Sequence, residues 1–140
     1  MRFIEKGLYA TLIADSGVLA LVGGAENPRV YNTVAPQNVV FPCVLYQKMG
    51  GFHIADNPKE AIDAVYAIKA LSDDLLEAEN LDFAVKEALD RQGIAVNTDN
   101  MADYATFRGM NLHFLEDMGA GRMAYHVGAL YDIHVAEQQS

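Results

Sequence analysis

Four polar residues near the end of the chain have side chains that bind metal ions in other proteins: His113, His126, Asp132 and His134. A hairpin that pairs Leu112 with Val127 would place His113 opposite His126 on its outer surface. His126 and His134 cannot share an ion, because eight residues of strand span about 26 Å. The His113/His126 pair supplies two ligands, whereas a zinc site needs three or four. We therefore expect no metal or cofactor, and interpret this pair as outer-face polar residues or a subunit contact.

Other catalytic arrangements are also missing from the sequence. The single cysteine, Cys43, lies in the apolar run CVLYQ, which predicts a small buried hydrophobe rather than a nucleophile. One cysteine also excludes a disulfide framework. The sequence contains no GxSxG, HExxH or Gly-Lys-Ser/Thr phosphate loop. These observations predict a protein that is not an enzyme.

The net charge of the chain argues against a role in DNA binding. Its 140 residues carry 19 acidic and 10 basic side chains, a net charge of −9, with the basic residues scattered. Binding to the DNA backbone needs clustered Lys and Arg that displace counterions. No apolar stretch approaches the ~20 residues of a membrane span, and no signal peptide is recognisable, so we expect no membrane association. The length predicts one domain over residues 1–136, followed by a flexible polar tail at 137–140.

The first half of the chain predicts two helices and two strands. Residues 3–14 carry an apolar stripe, and residues 18–22 form a second helix that ends at Gly23-Gly24. A short strand at 29–31, a loop between two prolines and a buried strand at 43–47 follow. Gly50-Gly51 is expected to end that strand. Residues 52–60 then predict a long loop, in which Phe52 and Ile54 are candidate partner contacts.

The second half predicts a strand, a long helix and a hairpin. The strand covers residues 61–71, and the helix covers residues 72–92 with a core stripe that includes Leu81 and Leu89. Leu76 and Phe83 fall on its opposite face, which indicates a contact surface unless the helix breaks near Asn80. Residues 104–116 and 122–135 predict an antiparallel hairpin, because every odd position from 123 to 135 is apolar.

The order of these pieces resembles bacteriophage tail-terminator (tail-completion) proteins of long-tailed phages and gene transfer agents. The resemblance is carried by four segments: Leu21-Val22-Gly23-Gly24, Arg29-Val30-Tyr31, Val34-Ala35-Pro36-Gln37, and Pro42 through Tyr46-Gln47 to Gly50-Gly51. It implies an α+β fold, with N-terminal helices and one long helix packed on a mainly antiparallel sheet that ends in a long C-terminal hairpin.

The resemblance also implies a structural role in the virion, at the junction of tail and head, after assembly in the host cytoplasm. Such proteins form a homo-oligomeric ring, usually a hexamer, that caps the tail tube and presents a surface to the head connector. Our hypothesis is that the acidic charge partly lines the bore and lets DNA pass without specific binding. A head-closure or neck protein on the capsid side is the main alternative. A further alternative is a small metal- or ligand-binding domain that uses His113 and His126.

Overall fold

The computed structural model describes the backbone of residues 2–56, 59–92 and 101–137, and the side chains of residues 4–50, 63–92 and 105–135. The described part contains three helices and five strands, which in chain order are α1 (Arg2–Ala14), α2 (Ser16–Leu21), β1 (Val30–Asn32), β2 (Cys43–Asp56), β3 (Lys59–Ser72), α3 (Leu75–Leu89), β4 (Met101–Gly119) and β5 (Arg122–Glu137). The strands form one sheet in the order β1-β2-β3-β5-β4. Only the β1–β2 pair is parallel, so the predicted α+β class with a mainly antiparallel sheet is confirmed.

Helix ends follow the capping residues in the sequence. The Asp15 carboxylate accepts a hydrogen bond from Val18 N at 3.0 Å and begins α2. The Asp74 carboxylate accepts one from Leu76 N at 3.0 Å and begins α3. Each bond satisfies a backbone donor that has no partner inside its helix. Helix α3 is continuous through Asn80, and it is shorter than the predicted 72–92.

The main core lies between the three helices and one face of the sheet. Odd positions of β5 from Ala129 to Val135 pack there with even positions of β3 from Ala64 to Ala70. On the helices, the i,i+4 stripe of Ile4, Leu8 and Leu12 is fully buried. The apolar positions at period two on the strands and at period 3.6 on the helices therefore face one common core, as the sequence predicts.

A second, smaller layer covers part of the other sheet face. The loop between β1 and β2 packs on it, and Val39 lies in a cluster with Cys43, Leu45 and Leu71. Burial raises the pKa of the Cys43 thiol to about 12, so this cysteine is held as a neutral thiol. The thiolate, the nucleophilic form, is therefore disfavoured at this position.

Arg29 joins the glycine pair, the β1 start and the proline before β2. Its Nε donates to the Pro42 carbonyl at 2.9 Å, and its Nη2 donates to the Leu21 carbonyl at 3.4 Å. Gly23 has φ +102°, and a Cβ there would overlap the Arg29 guanidinium. Three parts of the chain that are distant in sequence are thus fixed around one side chain.

The predicted long loop at residues 52–60 is wrong. Strand β2 continues through Gly50-Gly51 to Asp56 and pairs with β3 as far as Lys59, while residues 57 and 58 lie outside the described residues. A register shift between Lys48 and Gly50 marks a bulge, in which Met49 is the extra residue. The strand therefore continues through the two glycines instead of ending at them.

Candidate assembly surface

Helix α3 carries two exposed apolar side chains on the face opposite its core stripe. Leu76 is 64% exposed and Phe83 is 62% exposed, seven residues apart on one unbroken helix. The other face buries four residues: Ala78, Leu81, Val85 and Leu89. The alternative of a break near Asn80 is therefore removed, and neither side chain folds back onto the core. Their role as partner contacts stays a prediction.

The edge of the sheet carries a second group of exposed apolar side chains. They belong to β4 and the start of β5: Phe107, Met110, Phe114, Leu115 and Met123. Strand alternation places Phe114 and Leu115 on opposite faces, so both faces of this edge are apolar. Grouped apolar exposure of this kind is typical of surfaces that become buried in an assembly.

Phe52 and Ile54 lie in strand β2 and not in a loop. Their backbones pair with Asp63 and Ala61 of β3, and their side chains are outside the described residues. The long contact loop that the sequence predicts here is therefore a β-hairpin. A contribution of these two residues to partner contacts remains a prediction.

The predicted His113/His126 pair does not form. The hairpin register pairs His113 with Val127 and Phe114 with His126, which puts the two histidines on opposite faces. The cause is a bulge between Asp117 and Gly119, next to a two-residue turn in which Ala120 and Gly121 have φ of 53° and 78°. A register change of one residue moves every side chain to the other face.

His126 is buried instead of lying on an outer surface. It is 4% exposed, its Nε2 lies 2.6 Å from Glu116 Oε1, and its ring stacks on Phe114 with centroids 4.3 Å apart. Burial lowers the pKa of His126 despite the hydrogen bond to Glu116. The neutral ring therefore donates from Nε2, while the buried Nδ1 has no hydrogen-bond partner among the described residues.

A cavity of about 320 Å³ lies between the β1–β2 loop and this part of the sheet. Residues 33–37 form one wall, and Lys69, Glu116 and His126 line the other. Burial also lowers the pKa of Lys69, which lies 5.1 Å from the Phe114 ring. No group of three metal-binding side chains occurs within the described residues. Among the helices that the structure describes, none is long and apolar enough to cross a membrane.

Arg108 connects β4 to α3 and β5 through side-chain hydrogen bonds, a role that the sequence patterns did not reveal. Its guanidinium makes two hydrogen bonds to Asp82 of α3, at 2.9 and 2.8 Å, and one to the Tyr131 hydroxyl at 2.8 Å. Burial opposes the charge of Arg108, but the Asp82 hydrogen bonds prevail and the pKa of Arg108 rises. The only signal in the sequence is a lone arginine within the long β4 segment, and nothing in it points to Asp82.

We expect His126 to make the fold sensitive to acid. Burial lowers its folded pKa below the ordinary 6.5, so the unfolded chain binds the proton more readily. Its contribution is present above the ordinary pKa of 6.5 and is lost as the pH falls below that value, with a limiting slope of about 1.4 kcal/mol per pH unit. Thermal unfolding of wild type and His126→Gln from pH 7.5 to 5 measures this. The variant should lose less stability, and parallel curves would refute the assignment.

Together these features define a class of protein: a small α+β domain whose buried polar groups serve packing and whose sheet edge and outer helix face expose apolar side chains. A family model described as tail completion protein gp17 matches residues 6–118. This chain belongs to the tail completion protein gp17 family. It is therefore a structural protein of phage tail completion, located in the virion tail.

Solved structures show the same fold. A chain from the "Virion of native gene transfer agent (GTA) particle" has a TM-score of 0.69 and 17% sequence identity, over 95% of this chain and 94% of that chain. At that identity the likeness concerns the fold alone. No curated protein sequence matches the chain. The resemblance to tail-completion proteins inferred from the sequence is confirmed.

Proposed function

We propose that the chain forms a homo-oligomeric ring, a hexamer, that caps the tail tube and ends its growth. The family match over residues 6–118 is the observation that carries this proposal. The exposed apolar surfaces support it, because a heterologous ring contact uses two different patches on each subunit. The outer face of α3 and the β4 edge are two such patches.

The completed ring then presents a surface to the head connector, and its role is structural rather than catalytic. The family description favours the tail side of the joint over the capsid side. The small metal-binding alternative loses its geometric basis, since His113 and His126 lie on opposite faces of the hairpin.

The charge of the chain fits a passage for DNA through this ring. Each copy has a net charge of −9, so a ring of any size is strongly acidic. We propose that part of this charge lines the bore and keeps DNA from adhering during transit. A map of the ring in which the bore is basic would contradict this.

Growth of the tail tube in the presence of the protein tests the capping role. Purified tube protein is polymerised with and without the chain, and tube lengths are measured by electron microscopy. We expect shorter tubes with a bound particle at one end. Unchanged tube length with no bound particle would contradict the capping role.

The outer face of α3 is expected to matter for assembly but not for folding. Replacing both Leu76 and Phe83 with serine should change stability by less than about 1 kcal/mol, because both side chains are exposed. It should weaken ring formation or tube capping at least about tenfold if they are interface anchors. Glu79→Ser with Glu87→Ser, at exposed positions of the same helix, is the matched control. Assembly of the Leu76→Ser/Phe83→Ser variant equal to that of wild type would exclude these two side chains from the contact.

A further inference from the structure

Strand β4 lies at one edge of the sheet, and among the described residues its outer side is bonded at Thr106 and Arg108. Thr106 exchanges backbone hydrogen bonds with the segment that follows α3: its N–H donates to Gln92 O at 3.1 Å, and its carbonyl accepts from Arg91 N at 2.6 Å. The N–H of Arg108 donates to the Asp90 carboxylate at 2.9 Å. These bonds show that backbone groups of Thr106 and Arg108 point away from β5.

The second part of β4 has a free edge. A bulge between Arg108 and Asn111 changes the alternation, so four residues turn their backbone N–H and C=O groups outward: Asn111, His113, Leu115 and Asp117. In the described part of the chain, no backbone group outside the hairpin bonds to them. A long unpaired edge with exposed apolar side chains pairs readily with another strand unless it is protected.

The opposite edge of the sheet has a matching gap. Strand β1 pairs only with residues 44–46 of β2, and its cover ends where Thr33 N donates to Tyr46 O at 2.7 Å. Past that point the bulge at Lys48/Gly50 shifts the alternation, and four residues of β2 turn their backbone groups outward: Lys48, Gly51, His53 and Ala55. Within the described residues, no other strand pairs with β2 on this side.

The two free edges are complementary in direction, length and charge. Strands β2 and β5 run in the same direction, because each is antiparallel to β3, and β4 runs opposite to both. The β4 edge of one copy would therefore meet the β2 edge of the next as an antiparallel pair. Seven residues, 111–117, lie along eight, 48–55, and the end of β1 sets where pairing begins.

This alignment also matches the side chains at one end of the pair. The carboxyl end of the β4 segment, with Asp117, falls beside Lys48 at the start of the β2 segment. Cross-strand pairs of opposite charge stabilise a sheet. The exposed side chains of Leu115 and Met49 would be covered by the same contact.

We propose that neighbouring copies of this chain join by adding the 111–117 edge of β4 to the 48–55 edge of β2, so that the sheets continue from subunit to subunit. The inference rests on the proposed ring, and it specifies how that ring is joined. A contact between two different edges is heterologous and closes into a ring when the rotation permits. Main-chain hydrogen bonds supply the affinity, as in other strand additions.

A matched pair of substitutions at His113 tests the contact. Proline at this position removes an N–H that points outward and has no bond to any residue that the structure describes, whereas alanine keeps that N–H. We expect His113→Pro to raise the concentration needed for assembly at least about tenfold, and His113→Ala to assemble like wild type. Circular dichroism and thermal unfolding verify that both variants fold. If both assemble normally, or both fail to assemble, the main-chain contact is refuted.

Hydrogen exchange of the wild-type protein gives a test that does not depend on a variant. With residue resolution, the amides of His113 and Leu115 should exchange at least about tenfold more slowly in the assembly than in the dilute subunit. A ring in which these amides remain unprotected overturns the strand pairing and leaves the ring itself intact. A chain that stays monomeric beside tail tubes overturns the ring and this inference together.

Discussion

Replacing Arg108 with alanine is expected to destabilise the fold by about 3–5 kcal/mol, the usual cost of removing one partner of a buried ion pair. The side chains of Arg108 and Asp82 are 12% and 14% exposed, so solvent replaces little of the lost interaction. The substitution leaves the Asp82 carboxylate without its guanidinium and removes the partner of the Tyr131 hydroxyl. It also detaches α3 from the edge strand, because these two residues belong to different elements.

Denaturant unfolding of four proteins measures this: wild type, Arg108→Ala, Asp82→Ala and the double variant. The double variant should lose clearly less free energy of unfolding than the two single variants lose together. The reason is that the second substitution no longer leaves a buried charge without its partner. Lys86→Ala, an exposed cation on the same helix, should stay within about 0.5 kcal/mol of wild type. Additive losses, or a cost below about 1 kcal/mol for Arg108→Ala, would contradict the structural role assigned to the pair.

Replacing Gly128 with alanine should cost about 3 kcal/mol or more. A Cβ at this position of β5 would overlap the Ile68 carbonyl oxygen and lie 2.7 Å from Lys69 Cα, both in the backbone of β3. Overpacking usually costs 1–3 kcal/mol when flexible side chains can move. Here two paired strands must separate, so the cost lies at or above that range.

Gly50→Ala is the matched control for this prediction. Nothing lies within 4 Å of a Cβ at Gly50, which is also in a strand of the same sheet. We expect its stability to be within about 1 kcal/mol of wild type, since alanine also reduces the freedom of the unfolded chain. Equal stability of Gly128→Ala and Gly50→Ala in denaturant unfolding would show that β3 and β5 do not approach as closely as the structure indicates.

The sequence predicts the elements of this fold well, because helix and strand periodicities are local properties. The buried stripe of α1, the capping of α3 and the buried odd positions of β5 all follow from spacing within one segment. The exposure of Leu76 and Phe83 also follows from helix geometry once the helix is continuous. The family resemblance adds the order in which these elements pack.

Features that change when the strand pairing shifts by one residue were predicted wrongly. The bulge before Gly119 places His126 opposite Phe114 and separates it from His113, although the hairpin itself is predicted correctly. Strand β2 continues past the bulge between Lys48 and Gly50 and through the glycine pair that the sequence predicts as its end. The periodicity of the two strands does not contain these shifts, because each depends on how one residue is accommodated in the pairing.

Contacts between distant segments were also beyond the sequence. His126 is buried by the stacked Phe114 ring and the Glu116 side chain of β4, on a sheet face that alternation alone assigns to solvent. Arg108 pairs with Asp82 across 26 residues, and no spacing rule links them. In both cases a polar side chain that looks like a surface residue in its own segment is enclosed by another part of the chain.

The most direct test of the central claim is an electron cryomicroscopy map of tail tubes incubated with the purified protein. We expect a closed ring of six copies at one end of the tube, with β4 of each copy beside β2 of the next. A monomer that leaves the tube ends bare, or copies bound along the side of the tube, would contradict it.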